Sequence, residues 1–333
     1  MLNLLTDIPG IHVGHAHDAA LASGVTAILF ERPAIVSVAV HGGAPGTRET
    51  DLLEPDKMAT SVDAIVLSGG SAFGLDAASG VQAWLREQGR GFAVGPFKVP
   101  LVPQAICFDL MNGGDKAWGR YPPYRDLGYL AACHARGGTF ALGTAGGGFG
   151  ATTVDLKGGL GSASARTSGG FTVAALVVVN ALGSAVMGDG PHFWAAPYER
   201  DAEFGGLGWP PKLTPGIQAL AWKGQNQPAT TIAVVATDAA LDKAMVKRLA
   251  IAAHDGLPKA LRFAHALFDG DTIFAAALGG SPQDTHRADM TEIAALAGDC
   301  LARAIARGVF EARALDFPSA VPDWHMRFGK TRR

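Results

Sequence analysis

The sequence predicts an α+β protein in which helices cover a layered β core, and three observations carry that expectation. Seven short apolar runs have the length of strands, and glycine, proline or aspartate bounds most of them. Three further stretches repeat apolar residues at helical spacing. Strands and helices come in clusters rather than in strict alternation, which disfavours a doubly wound parallel sheet.

In chain order, strands are expected at 25–30, 34–40, 64–67 and 139–142, then at 172–179, 232–236 and 272–276. The first helix, 75–85, follows a Gly-Gly-Ser turn. A second carries Leu241, Met245, Leu249 and Ala252 on one face. A third carries Ile293, Leu296, Cys300, Leu301 and Ile305, with Thr291 or Asp289 as its cap. Between the strands, 188–228 is irregular and rich in proline, glycine and tryptophan. A structureless connection of that length usually carries function or disorder. Residues 330–333 read as a frayed basic tail. Neither a repeat nor a linker divides the chain, so 1–333 reads as a single domain.

Composition narrows the function. At 333 residues, with 48% hydrophobic and 17% charged, the chain can bury a large core. A net charge of −2 leaves no basic footprint for nucleic acid or for an anionic membrane. The first residues have no basic start and no long apolar run, as a secretory signal would need. The longest apolar stretch, 173–179, is far too short to span a bilayer. Cys107, Cys133 and Cys300 have no metal-like spacing, and their odd number argues against a disulfide framework. The expectation is a cytoplasmic protein without a cofactor or metal. The 44 glycines lie between apolar runs without a period, a pattern that suits tight turns and close backbone approaches.

Several motifs fall away on inspection. Gly69-Gly70-Ser71-Ala72-Phe73-Gly74 resembles a nucleophile elbow, but its second glycine arrives one residue late, so Ser71 reads as a helix cap. The run from Gly146 to Ala151 approaches a dinucleotide fingerprint, yet no helical pattern follows it. His12, His15 and His17 could bind zinc, but the spacing does not complete and orient a site, and a surface loop is expected. Asp109, Asp115 and Asp126 are too scattered to suggest a metal.

Three other places hold more chemistry. Gln225-Asn226-Gln227-Pro228 runs into Ala229, Thr230, Thr231 and a buried-looking strand. Cutting before Thr230 would give one residue both a hydroxyl nucleophile and an α-amine to serve as its base. Both threonines are also good strand formers, and the segment alone favours that plainer reading. Asp269-Gly270-Asp271 could be a simple turn, could bind a cation, or could orient an amine and a hydroxyl. Asn180 closes an apolar strand, where its amide could donate to an oxyanion or merely end the strand.

Together these pieces resemble the DmpA-like family of N-terminal-nucleophile hydrolases, which includes L-aminopeptidase/D-amidase enzymes, β-peptidyl aminopeptidases and nylon-oligomer hydrolases. The resemblance covers nearly the whole chain. It runs through Thr6-Asp7-Ile8-Pro9-Gly10-Ile11, the stretch from His41 to Asp51, and that from Leu67 to Asp76. It continues through Thr230 to Asp238, Ala253-His254-Asp255-Gly256 and Phe268 to Thr272. It implies a four-layer αββα sandwich, self-cleaved between Ala229 and Thr230 into chains 1–229 and 230–333 that stay together, commonly as a tetramer of such pairs. Thr230 matches the family's nucleophile and Asn180 its oxyanion-hole asparagine. Asp269 and Asp271 match an acidic or hydroxyl pair that orients the nucleophile and its amine.

The sequence departs from that pattern in three places. Ala229 stands where the family usually has asparagine or glycine, and slower processing is expected if cleavage needs left-handed backbone there. An expected lysine aligns with Asp155, with Lys157 two residues on as its replacement or as a surface charge. Phe108 replaces an active-site tyrosine. The implied substrate is a small peptide or amino-acid amide, with D- or β-residues included. An endo-amidase on linear oligoamides, an acyltransferase and a catalytically silent scaffold are the rivals.

Overall fold

The computed structural model describes residues 1–224, 229–318 and 320–329. The Gln/Asn/Pro loop before Ala229 and the basic tail lie outside these. In chain order the strands are β1 (Ile11–Asp18), β2 (Ser23–Val40), β3 (Thr47–Arg48), β4 (Val62–Ser68), β5 (Phe92–Val94), β6 (Phe97–Val99), β7 (Gln104–Ile106), β8 (Gly159–Arg166), β9 (Thr172–Asn180), β10 (Thr230–Thr237) and β11 (Thr272–Ala277). The helices are α1 (Ala77–Glu87), α2 (Tyr124–Cys133), α3 (Lys243–Ala253), α4 (Gly256–Ala260), α5 (Asp289–Phe310) and α6 (Trp324–Phe328).

Strand β2 organises the architecture. Its first part pairs antiparallel with β1 and β4, and its last part pairs antiparallel with β11. The register with β4 shifts between Leu29 and Ala34, where Glu31, Arg32 and Pro33 are exposed. Proline has no ladder donor and tends to sit at such irregularities. The two strands expected at 25–30 and 34–40 are therefore one bent strand shared by two sheets. One sheet holds β3, β7, β4, β1 and the start of β2; the other runs from the end of β2 through β11, β10 and β9 to β8.

Alternation along the strands fills the layers. Leu176 and Val178 of β9, Ile232 and Val234 of β10 and Phe274 of β11 meet Ile28, Ile65 and Leu67 between the sheets. Val173, Ala175 and Val177 face the other way, onto Leu249 of α3 and Cys300, Leu301 and Ile305 of α5. Val25, Ala27, Ala64 and Val66 pack on Val81 of α1 and Leu127 of α2. The result is the expected four-layer αββα sandwich, an α+β fold with β10 and β11 in the middle of one sheet. Among the described residues, no helix is long and apolar enough to cross a membrane.

Several local expectations are corrected. Residues 139–142 form no strand; they are irregular between the isolated bridges of Arg136 and Gly143. His12, His15 and His17 lie in β1, not in a loop, so alternation sends His12 to the opposite face from His15 and His17. His15 Nδ1 bonds Thr26 Oγ1 at 3.0 Å, and His17 stacks on Phe149. Ser71 caps nothing with its side chain: it begins a tight 3-10 turn, Ser71–Asp76, behind left-handed Gly70 at φ +90°. A Cβ on Gly70 would fall 2.2 Å from the Tyr124 ring. Helix α5 begins at Asp289 without a side-chain cap, because the Asp289 carboxylate accepts from the His286 amide outside the helix. The Gly146–Gly148 turn is followed by no helix, as the sequence led us to expect.

Candidate active site

Strand register builds the centre of the site. Thr230, the first residue of β10, lies directly opposite Asn180, the last residue of β9, so both side chains project from one face of the sheet. Ala229 bridges in parallel to Asp269, extending the β10–β11 ladder back across the Ala229–Thr230 bond. That is a ladder position, which alanine occupies readily.

The Ala229 carbonyl is held from two sides. It accepts the Thr230 hydroxyl at 2.5 Å and the Gly270 amide at 3.0 Å. Only glycine fits at 270, since a Cβ there would come within 2.6 Å of Thr230 Oγ1 and 2.9 Å of the Ala44 oxygen. The same residue that lets the turn approach the hydroxyl thus supplies the donor to the carbonyl.

Asp269 and Asp271 flank that glycine and are buried. Burial raises Asp269, and the neighbouring Asp271 charge raises it further. Burial would also raise Asp271, but hydrogen bonds from His265 outweigh it and hold the carboxyl low. Asp271 Oδ2 accepts from the His265 amide at 2.8 Å and sits 2.9 Å from its Nδ1, while Oδ1 accepts from the Thr231 amide at 3.0 Å. His265 adopts φ +60°, an uncommon conformation for a non-glycine residue.

Asn180 is fixed through its own amide. Oδ1 accepts from Asn112 Nδ2 at 3.1 Å, the Thr152 amide at 3.0 Å and Lys223 Nζ at 3.0 Å, and Nδ2 donates to the Phe108 carbonyl at 2.8 Å. One Nδ2 hydrogen is left over from that bond. Phe108 therefore enters the site through its backbone.

Lys157 is neither a surface charge nor in hydrogen-bond contact with Thr230. It is buried and donates to the carbonyls of Gly148, Ala151 and Gly158 at 3.0, 2.7 and 2.9 Å. Those bonds use all three of its donors. Burial pulls it down to about 7. It ties together the segment that presents the Thr152 amide to Asn180. Asp155 points elsewhere, paired with Arg327.

Sequence reasoning missed Lys223, Asn112, His265 and Gly270. Lys223 is buried, pulled down to about 8 by that burial, and its amide donates to the Leu182 carbonyl at 2.9 Å. Lys223 thus lies against the residues that follow β9. The position of Lys223, seven residues before Thr230, was the only available signal.

This fold is that of the N-terminal-nucleophile hydrolases. The L-aminopeptidase D-Ala-esterase/amidase of Ochrobactrum anthropi, described as a variant of the Ntn-hydrolase fold, superposes with a TM-score of 0.72. It is 20% identical, and the match covers 99% of this chain and 94% of that one. The chain belongs to peptidase family S58, whose model matches residues 3–320, and is a hydrolase of peptide or amide bonds. An uncharacterized aminopeptidase of Mycobacterium tuberculosis is 45% identical over 339 residues, covering 94% of this chain and 95% of the relative. A 6-aminohexanoate-oligomer endohydrolase of a Kocuria species is 27% identical over 288 residues, covering 81% and 73% respectively.

Proposed function

We propose that this chain is an autoprocessed N-terminal-threonine amidohydrolase of aminopeptidase type, acting on small peptides or amino-acid amides, D- or β-residues included. The carrying observation is the Ala229 carbonyl, set between the Thr230 hydroxyl and the Gly270 amide. Attack of Oγ1 on the Ala229 carbonyl carbon closes a five-membered ring whose oxyanion receives the Gly270 hydrogen bond. Breaking the carbon–nitrogen bond frees the Thr230 amine and leaves an ester, and water hydrolyses that ester to release Ala229 as a carboxylate.

The mature residue then carries its own base. An α-amine has a pKa of about 7.7–8.0, so much of it accepts a proton near neutral pH. It takes the hydroxyl proton as Oγ1 attacks the substrate carbonyl and returns it to the departing amine; water then hydrolyses the acyl-enzyme on Thr230, releasing the acid and restoring the hydroxyl. The free Asn180 Nδ2 hydrogen and the Gly270 amide are the oxyanion donors. Asp271 anchors β10 through the Thr231 amide, and orienting the new amine is assigned to Asp269, the ladder neighbour of Ala229. Lys157 and Lys223 act by positioning, through the surroundings of Asn180. Thr230 is buried in the uncut chain, so cleavage also opens the site.

The endohydrolase relative favours one second reading, internal cleavage of linear oligoamides; product lengths from such an oligoamide separate the two. Free thiols at all three cysteines support a cytoplasmic setting. A tetramer of two-chain units is the proposed assembly, to be checked by light scattering.

Denaturing mass spectrometry tests the central claim. The wild-type chain of 34.3 kDa should appear as pieces of roughly 24 and 11 kDa, the smaller beginning at Thr230. Thr230→Ala should remain whole and inactive. A processed, active Thr230→Ala protein overturns the proposal, and an uncut, inactive wild type favours the silent scaffold.

A further inference from the structure

The Asp271 oxygen that does not bond Thr231 accepts from His265, which leads on to two further histidines with no part in the proposed hydrolysis. His41 follows the end of β2, His254 ends α3, and His265 precedes β11. Their ring centroids are 3.8 Å apart for His41 and His254, 4.9 Å for His254 and His265, and 5.3 Å for His41 and His265. One ring nitrogen from each lies within 4.8 Å of the others.

The hydrogen bonds fix which nitrogens are available. His254 Nε2 is 3.0 Å from the Ala39 carbonyl oxygen, which can only accept, so the proton is on Nε2 and Nδ1 presents its lone pair. That Nδ1 is buried, in a side chain 2% exposed, and has no partner among the described residues. His265 Nδ1 faces the Asp271 carboxylate, so its proton points there and Nε2 carries the lone pair, with no hydrogen-bond partner among the described residues. Histidines that bind metal are backed in this way, one nitrogen donating to a carbonyl or carboxylate while the other ligates. His41 is exposed and stacks on His254, and its backbone amide donates to the Asp271 carbonyl at 3.0 Å.

We propose that His41, His254 and His265 bind one divalent transition cation of the zinc class. Imidazole suits zinc, nickel and copper(II), and three protein nitrogens leave a fourth position for water. His254 and His265 are preset by their backing bonds, and the exposed His41 ring completes the set by turning toward them. The cation would fix the His265 ring and so the carboxylate that anchors β10. It would also join His41 to residues beyond position 230. The site requires only the fold, so it stands whether or not the Ala229–Thr230 bond is cut.

The test uses untagged full-length protein stripped with chelator, titrated with zinc chloride by calorimetry and with cobalt chloride by visible absorption. One equivalent of zinc should bind, and cobalt should give the intense bands of a four-coordinate site. His41→Ala changes an exposed ring and should weaken zinc binding at least about tenfold, as should His265→Gln. His12→Ala, in β1, should bind as the wild type does. Failure to bind a full equivalent, wild-type affinity in His41→Ala, or loss of binding in His12→Ala overturns the proposal.

Discussion

Asp269 and Asp271 are two residues apart and equally buried, yet their environments drive them in opposite directions. The difference is in their donors: Asp271 receives the His265 ring, the His265 amide and the Thr231 amide, whereas Asp269 receives the Gly270 amide at 3.1 Å and shares a side-chain hydrogen bond with Asp271 that raises it and lowers its partner. For Asp269 the folded state holds its proton above the unfolded value of about 3.9, so its contribution is fully present below that value and is lost as pH rises through the folded pKa. Asp271 works the other way, losing its contribution as pH falls through its depressed pKa. In the uncut Thr230→Ala chain, replacing Asp269 by asparagine should remove a downward slope of up to about 1.4 kcal/mol per pH unit above pH 4. Urea unfolding at several pH values measures that slope; an identical slope in both chains would rule out a neutral Asp269. Thr230 begins β10, Asn180 ends β9, and Asp269 and Asp271 sit in the turn before β11; the sequence singled out all four through the family resemblance, and strand register brings them together. Lys223, Asn112 and His265 reach the site from loops, and no periodicity reports where a loop side chain comes to rest.

Elements rich in valine, isoleucine or leucine were legible as well. The central strands β9, β10 and β11 have both faces buried and read as continuous apolar runs, as interior strands should. Strand β8, Gly-Leu-Gly-Ser-Ala-Ser-Ala-Arg, has no such run, because its small residues let α5 lie close upon it. A Cβ on Gly161 would sit 1.8 Å from the Ala304 carbonyl, and Gly159 and Gly308 meet in the same contact. Strand β1 was hidden likewise: a Cβ on Gly14 would strike the Ala131 carbonyl of α2 at 2.1 Å. Part of the unusual glycine content is thus a device for helix-on-sheet proximity, and its cost is a weak strand signal. Gly161→Ala should push α5 outward and destabilise the fold by about 1–3 kcal/mol, the range of an overpacked core. Chemical denaturation checks this, and wild-type stability would mean that the helix has room to move.

At the scale of the molecule, the proposed cut falls where the fold can tolerate it. Breaking the Ala229–Thr230 bond removes one covalent link but leaves β10 hydrogen-bonded to β9 on one side and β11 on the other. Strand β11 is in turn paired with β2, so residues 230–333 supply two interior strands to a sheet whose remaining strands belong to 1–229. Ile232, Val234 and Phe274 lie between the sheets against strands of 1–229, while Val235 and Ala275 face α3 and α5 of their own piece; neither piece could cover the surface between the sheets alone. Two chains joined in this way share a divided core, which is the character of an obligate interface rather than of a docking contact. The cut protein should therefore elute as a single species in native size-exclusion chromatography, and its pieces should separate only in denaturant. Denaturation and refolding should also be cooperative for the pair, with one transition seen by probes in either chain. A 230–333 piece that eluted by itself in native buffer would contradict the interior placement of β10 and β11, and with it the idea that the sheet holds the new N-terminal threonine in position after cleavage.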